Sequence, residues 1–424
     1  MEKLFQLLYL STYQKITRNI TMNKFIFFTF NNFSTDDGGT VRMYGILNAL
    51  ANKGEDILLI SNSPRNNIKF HNSIKHKSLN LTITDTKKKF FQFSLALFPN
   101  FINKLLFNKY LKEIQKEIST ELKKEIIFFE YIDNSFGYFL KRNNLLPNYI
   151  NDIHGIAPLE FQNNRTKGVK KIYNLLRYKV SLLLDFKVMS EAKKIIVVSN
   201  SMKEYFLKKY PFLSNKIMVI PDGVSQEFCS QKIDKTLLSS LTKQYKNDNK
   251  KIIFFAGDFK DLGGILDLLN AFISLSQTRN DIKLFLIGNG EHFTKAKTIT
   301  KNTNLEHLIY FKGRVPYSKL KTYQQLADVI VCPDKAHPYS NIVPHIKYFD
   351  SLVSNKIVIN GNFKSTREIN KEEKFSIDFE PSNITDLVKK IDFVLNNQQE
   401  LEKKYKNNQN NICNKYTYNN FVKI

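Results

Sequence analysis

Residues 252–290, IIFFAGDFKDLGGILDLLNAFISLSQTRNDIKLFLIGNG, carry the pattern that decides the fold. Ile252–Ala256 is an apolar run of strand length, closed by Gly257. Gly264–Ser274 then repeats apolar residues at helical spacing, and Lys283–Ile287 is a second apolar run ending in Gly288. A continuously apolar strand is one covered on both faces, so strand, helix, strand in this order predicts a parallel sheet under helices.

The same alternation extends in both directions. Upstream, Phe25–Phe30, Asp56–Ile60, Ile126–Ile132, Tyr149–Ile153, Ile195–Ser199 and Ile217–Ile220 read as buried strands, with helices predicted over Thr40–Asn52 and Asn103–Lys124. Downstream, Leu308–Phe311, Val329–Cys332 and Lys356–Asn360 read as strands, and Ser318–Leu326, His345–Val353 and Ile384–Leu395 as helices. Pro221-Asp222-Gly223-Val224 is a turn signal followed by the Lys-rich stretch Ser230–Lys250, which places a boundary between two α/β halves. The expected division is an extension over 1–21, a Rossmann-like domain over 22–225, a second over 226–400 and a helical tail over 401–424 with a frayed end. Open α/β sheets bind ligands at the carboxyl ends of their strands, and two such domains are expected to face each other across a cleft.

The 424 residues include 42% hydrophobic and 24% charged, which excludes a disordered, collagen-like or disulfide-scaffold chain. Cys229, Cys332 and Cys413 lie far apart without CxxC spacing, so neither a disulfide framework nor a Cys-based zinc site is expected, and a reducing compartment is the default. No apolar stretch reaches the roughly 18–20 residues of a membrane-spanning helix. Leu4–Leu10 lacks a small-residue cleavage site and is not read as a signal peptide. The net charge of +25 is spread along the chain: residues 1–230 hold 34 basic against 19 acidic residues, the remainder 30 against 20. Such a surface suits nucleic acid, anionic lipid or phosphorylated substrates, but no RRM, KH or zinc-finger pattern accompanies it. HExxH, G-x-S-x-G and P-loop motifs are also missing.

Several segments, in order, resemble the GT-B glycosyltransferases of family 4, the "glycosyl transferases group 1" set. They are Thr35-Asp36-Asp37-Gly38-Gly39-Thr40-Val41-Arg42; Asn151-Asp152-Ile153-His154-Gly155; Val197–Ser201 with Lys216–Val224; Phe254–Gly257 with Gly264–Ala271; Leu284–Glu291; Ile309–Val315; Leu326–Pro333; and Pro344 with Lys347–Asp350 and Lys356–Ile359. The resemblance spans roughly residues 24–395 and implies transfer of a sugar from a nucleotide-sugar donor to an acceptor hydroxyl, mostly with retention. It places Gly38 and Gly39 beside the donor phosphate and acceptor, His154 near the donor sugar as the catalytic candidate, and Gly313, Arg314 and Val315 by the nucleobase. Pro344, His345 and Lys347 would open the helix that meets the diphosphate, and Asp350 would accept from the ribose hydroxyls. No metal and no cofactor are implied, the nucleotide sugar being the substrate.

The sequence departs from the family pattern at four places, one of them Pro344, which sits one residue from where the commonest spacing would put it. Ile342 stands where the first of two spaced acids usually lies, Asp258 where Arg often follows Gly257, and Gly263 where Lys precedes Gly264. Lys260 can take over a phosphate contact, since a flexible ammonium reaches from a neighbouring position. The expected role is building capsule, exopolysaccharide or lipopolysaccharide in the cytoplasm, with a glycan or lipid-linked acceptor. An anionic membrane surface is the expected further partner, through Lys87-Lys88-Lys89-Phe90-Phe91-Gln92-Phe93. An inactive GT-B binding module and, behind it, a basic nucleic-acid binder stay open as alternatives.

Overall fold

The computed structural model describes residues 25–31, 33–34, 37–63, 70–79, 81, 84–129, 131–162 and 168–422. The expected extension over residues 1–21 lies outside them, as do Thr35 and Asp36. The chain forms two compact units, one within Met1–Pro221 and Tyr418–Ile424, the other Asp222–Thr417.

The first unit holds β1 (Phe25–Thr29), β2 (Ile57–Ser61), β3 (Lys75–Ser78), β4 (Ile126–Phe128), β5 (Tyr149–Ile153), β6 (Lys194–Val197) and β7 (Ile217–Val219). They build one parallel sheet in the order β3-β2-β1-β4-β5-β6-β7. The second unit holds β8 (Lys251–Ala256), β9 (Ile282–Ile287), β10 (Ile309–Gly313), β11 (Val329–Cys332), β12 (Ile357–Gly361) and β13 (Ile377–Phe379). Its parallel sheet runs β10-β9-β8-β11-β12-β13. Strand order therefore reverses between β1 and β4 and again between β8 and β11, the points where such sheets open a crevice at their carboxyl ends.

Alternate residues of the second sheet enter two separate cores. Ile253, Phe255, Leu284, Leu286 and Val331 pack with Leu268 and Phe272 on one face. Phe254, Phe285, Ile330 and Val358 pack with Leu326 and Leu352 on the other. Period-two alternation puts neighbours on opposite faces, which is why these strands are apolar along most of their length, with Lys283 and Asn360 as buried polar exceptions.

Several boundaries differ from the sequence expectation. Ile126–Ile132 is a strand only to Phe128, and Tyr131–Arg142 is a helix. Asn103–Lys124 is two helices, Asn100–Leu106 and Asn108–Ile118, followed by a turn at Glu121–Lys123. Phe107 leaves helical geometry between them and drives its ring against Phe91. The carboxyl terminus is neither a separate tail nor frayed over its described residues. Leu401, Tyr405 and Ile412 are buried in the second unit's cores. The chain then returns to the first unit, where Tyr418 and Val422 join Phe27, Leu47 and Leu59. Gly45 makes room for the Tyr418 ring, since a Cβ there would strike it.

Cysteine spacing gives no reason to expect a disulfide, yet one forms. Cys229 and Cys413 form a disulfide, their Cα atoms 5.8 Å apart, while Cys332 is free and buried. Their separation of 184 residues hid the pairing. The Asn408–Lys415 helix packs back beside the Gln226–Ser230 helix, with the Gln409 side chain donating to the Cys229 carbonyl at 3.5 Å. The reading of a reducing compartment from cysteine spacing thereby loses its support.

Candidate active site

In the second unit, the loops leaving β8, β9, β10 and β11 are locked to one another by backbone. Gly257 N–H donates to Ile287 O at 3.0 Å, Gly288 N–H to Gly313 O at 3.0 Å, and Lys335 N–H to Leu262 O at 3.0 Å. Two glycines are required there. Gly264 lies at φ +66° where a Cβ would meet the Pro333 carbonyl, and Gly288 at φ +138° where one would meet the Gly257 carbonyl. Close backbone approach of this kind is open only to glycine. The result is a rigid rim at the β8/β11 reversal, on which the charged side chains are mounted.

Two carboxylates organise that rim. Asp258 receives Lys260 at 3.2 Å and Arg314 at 2.8 Å, drawing together cations from the loops after β8 and β10. Both cations are largely exposed, Lys260 by 70%. Asp334, buried at the end of β11, receives Lys347 at 2.6 Å, and His345 Nε2 lies 3.7 Å away. Lys347 also extends over the Phe255 ring at 5.4 Å. Burial holds the His345 imidazole below the usual histidine range against the pull of Asp334, and Lys347 and Lys260 push in the same direction as burial. A further ion pair, Lys335 with Asp261 at 2.9 Å, borders the same rim.

Lys260 and Arg314, predicted from sequence, thus lie on the loops after β8 and β10, while His345 caps the Ile346–Leu352 helix that follows β11 and Lys347 lies in its first turn. Gly313 is in the left-handed region at φ +77°, Val315 packs partly on the core and Pro344 is buried. Asp350 is placed differently: it is only 3% exposed, and its Oδ1 accepts from the Tyr317 hydroxyl at 2.8 Å. The Tyr317 ring stacks on Phe228 at 4.9 Å. Burial raises the Asp350 carboxyl to about 7, against the opposing hydrogen bond from Tyr317.

The first unit has its own polar cluster at the corresponding edge. Gly38 and Gly39 open the Gly38–Ala51 helix, capped by Asp37, whose side chain accepts from Thr40 N–H at 2.9 Å. One turn on, buried Arg42 grips buried Asp152 with two bonds, 2.9 and 2.7 Å, and donates to Ile220 O at 3.1 Å. His154 Nδ1 is 3.7 Å from the same carboxylate. Burial alone would raise the Asp152 carboxyl; the Arg42 charge and hydrogen bonds outweigh it, and the group is held below its usual range. His154 is therefore backed by a carboxylate, and Gly38, Gly39 and His154 share this edge.

Sequence reading missed Asp334, Tyr317 and the Arg42–Asp152 pair as organising groups, and took Asp258 only as a departure. Each stands within or beside a quoted segment, but apart from Asp258 with Lys260 the pairings join residues 13 to 110 positions apart, which no local pattern reveals.

The sequence matches the model of "Glycosyl transferases group 1" over residues 240–411 and that of "Glycosyltransferase Family 4" over residues 37–228. The chain belongs to the GT-B glycosyltransferases of this family. The chain is 24% identical over 152 residues to the lipopolysaccharide 1,2-N-acetylglucosaminetransferase of Salmonella typhimurium, covering 34% of this chain and 38% of that one. It spans less than half the length of the curated relatives it matches. Among solved structures it is similar to a sucrose-phosphate synthase from Thermosynechococcus elongatus, at 15% identity and TM-score 0.71, covering 94% and 96% of the two chains. The Anabaena protein Alr3699/HepE, determined in complex with UDP-glucose, is similar at 13% identity and TM-score 0.68, covering 94% and 97%. At these identities the structural likeness concerns the fold.

Proposed function

We propose that this glycosyltransferase moves a glycosyl unit from a nucleotide-sugar donor to an acceptor hydroxyl during synthesis of a cell-surface polysaccharide such as capsule, exopolysaccharide or lipopolysaccharide. The observation that carries the reading is the pair of cations that Asp258 gathers at the β8/β11 reversal. A departing nucleoside diphosphate carries negative charge, and fixed positive groups at the place where that charge develops lower the barrier. Lys260 and Arg314, exposed and already adjacent, can turn from Asp258 to a diphosphate, and Lys347, held by Asp334, lies in the first turn of the helix that follows β11. We assign charge neutralisation to these side chains, with no metal or cofactor in the scheme.

In this reading Gly313 and Val315 border the base, Pro344 and His345 shape the rim by the diphosphate, and Asp350 serves the ribose side with Tyr317. In the first unit Gly38 and Gly39 leave backbone open near the acceptor. His154, steadied by Asp152, is the candidate catalytic group. The UDP-glucose seated in Alr3699/HepE and the lipopolysaccharide role of the Salmonella relative support the donor class and the glycan or lipid-linked acceptor. We place the enzyme in the cytoplasm, at the inner face of the plasma membrane, and expect retention of configuration.

Release of free nucleoside diphosphate from a panel of nucleotide sugars, with and without acceptor glycans, tests the proposal. Turnover of one donor that rises with acceptor is the expected result. A second reading rests on Ile342, an apolar side chain where the family often has an acid: a donor that binds but never turns over marks the chain as a binding module. No binding by any donor contradicts both.

A further inference from the structure

The outward face of the Val169–Glu191 helix is apolar. Ile172, Leu175, Leu176, Leu183 and Phe186 are between 40% and 69% exposed. At 100° per residue these five positions fall within one stripe about 100° wide, and the stripe spans about 21 Å along the axis. Val180, Leu184, Val188 and Met189 already fill the core side. An ordinary surface helix shows water its polar face; this helix shows apolar groups on both sides.

The exposed charges on the described part of this helix are basic. Lys171 is exposed beside the stripe and Lys179 is exposed within it. The helix has two acidic residues, of which Asp185 is buried and Glu191 is paired with Arg142 at 3.2 Å. The apolar surface continues onto neighbouring elements. Lys187 donates to the carbonyls of Leu95 and Ala96, fixing this helix beside the end of the Asp85–Leu97 helix. Leu97, Phe101 and Leu105 are exposed just beyond that end, with exposed Lys104 among them. On the other side Phe186 meets exposed Phe212 edge to face at 5.7 Å. By contrast Phe91, in the stretch Lys87–Phe93 that sequence alone suggested, is buried against Phe107 and Phe139.

We propose that this face of the first unit, centred on Ile172, Leu175, Leu176 and Phe186, docks on an anionic lipid bilayer. Apolar side chains on a helix lying in the membrane plane enter the headgroup boundary, while lysines reach the lipid charges with their ammonium groups. Charge complementarity favours this occupant over a second copy of the chain, because pairing two such faces would bring Lys171 and Lys179 against like charges. The proposal deepens the functional reading, on which its biological sense rests, by naming the surface that holds the enzyme at the membrane.

Flotation of the full chain with vesicles tests it, and uses no nucleotide sugar, so it can fail while donor binding stands. The chain should float with phosphatidylcholine–phosphatidylglycerol vesicles, less at high salt, and poorly with phosphatidylcholine alone. Ile172→Glu/Leu176→Glu should lower recovery about tenfold or more, given the apolar area withdrawn from lipid. Lys171→Glu/Lys179→Glu should lower it on anionic vesicles, and Phe393→Glu, at an exposed position of the second unit, should leave it unchanged. A chain that never floats, or stripe variants that float like the parent, would overturn the assignment. So would light scattering that shows a dimer dissociated by the stripe variants without any vesicle binding, which gives the face to a second copy.

Discussion

Asp152 and Asp350 are both buried carboxylates, and their surroundings send them in opposite directions. Asp152 is ionised because Arg42 supplies two hydrogen bonds and a charge. Breaking a buried pair leaves the partner charge unsolvated, so Asp152→Ala should lower the unfolding free energy of the first unit by about 3–5 kcal/mol in urea denaturation. A change below about 1 kcal/mol would mean that water already serves Arg42. Asp350 is met by the Tyr317 hydroxyl and by no opposing cation strong enough to offset burial, and its carboxyl rises to about 7. The folded protein therefore holds that proton more tightly than the unfolded chain, whose carboxyl titrates near 3.9. This group costs nothing below about pH 4, and its penalty grows up to about pH 7 at about 1.4 kcal/mol per pH unit. Asp350→Asn, which keeps an acceptor for Tyr317, should flatten the loss of thermal stability of the parent between pH 4 and 7. Parallel profiles for parent and variant would show that Asp350 does not titrate in that window.

At the scale of elements, the rim of the second unit depends on loops that touch through backbone. Gly264 combines φ +66° with a Pro333 carbonyl where its side chain would begin. Gly264→Ala should lower the melting temperature by several degrees, since strain and displacement of the β11 loop add to an alanine in the left-handed region. Gly54 gives the comparison: φ is +81°, but nothing lies within 4 Å, so Gly54→Ala should cost only the conformational part, about 1 kcal/mol. Equal effects at both positions would remove the backbone contact from the explanation. The elements themselves were legible where both faces are covered, as in β5, β8, β9 and β11. The strand Lys75–Ser78 was not, because a polar edge strand of Lys, His, Lys and Ser has no apolar periodicity. Ile126–Ile132 misled for the converse reason: a buried strand and the first turn of a buried helix are both apolar, and the sequence does not mark where one becomes the other.

For the whole molecule, sequence order is most informative about the loop that leaves each strand and least informative about groups that arrive from distant segments. The two α/β halves and the glycine-closed strand ends could be read directly, and with them the loops that bear Lys260 and Arg314 and the helix that bears Lys347. Asp258 and Asp334 acquire their meaning only when β8, β10 and β11 end at the same edge of one sheet, and the return of the last helices to Cys229 and Gly45 has no local signature. Tyr418 tests that return. It is 1% exposed in the first unit's core, and Tyr418→Ala should cost about 3–5 kcal/mol in that unit's unfolding, the range for a large aromatic in a core. A loss confined to the second unit's transition would place the terminus wrongly. The central claim, that the carboxyl edge of the second sheet holds a nucleoside diphosphate, is tested most directly by calorimetric titration of a nucleotide-sugar panel into the full chain and its Lys260→Ala/Arg314→Ala variant. Saturable binding of at least one donor, weakened about a hundredfold or more in the variant, is the predicted result, at about 1.5–3 kcal/mol for each of the two charged hydrogen bonds removed. A donor that binds parent and variant equally, or heat from none of the panel, would contradict it.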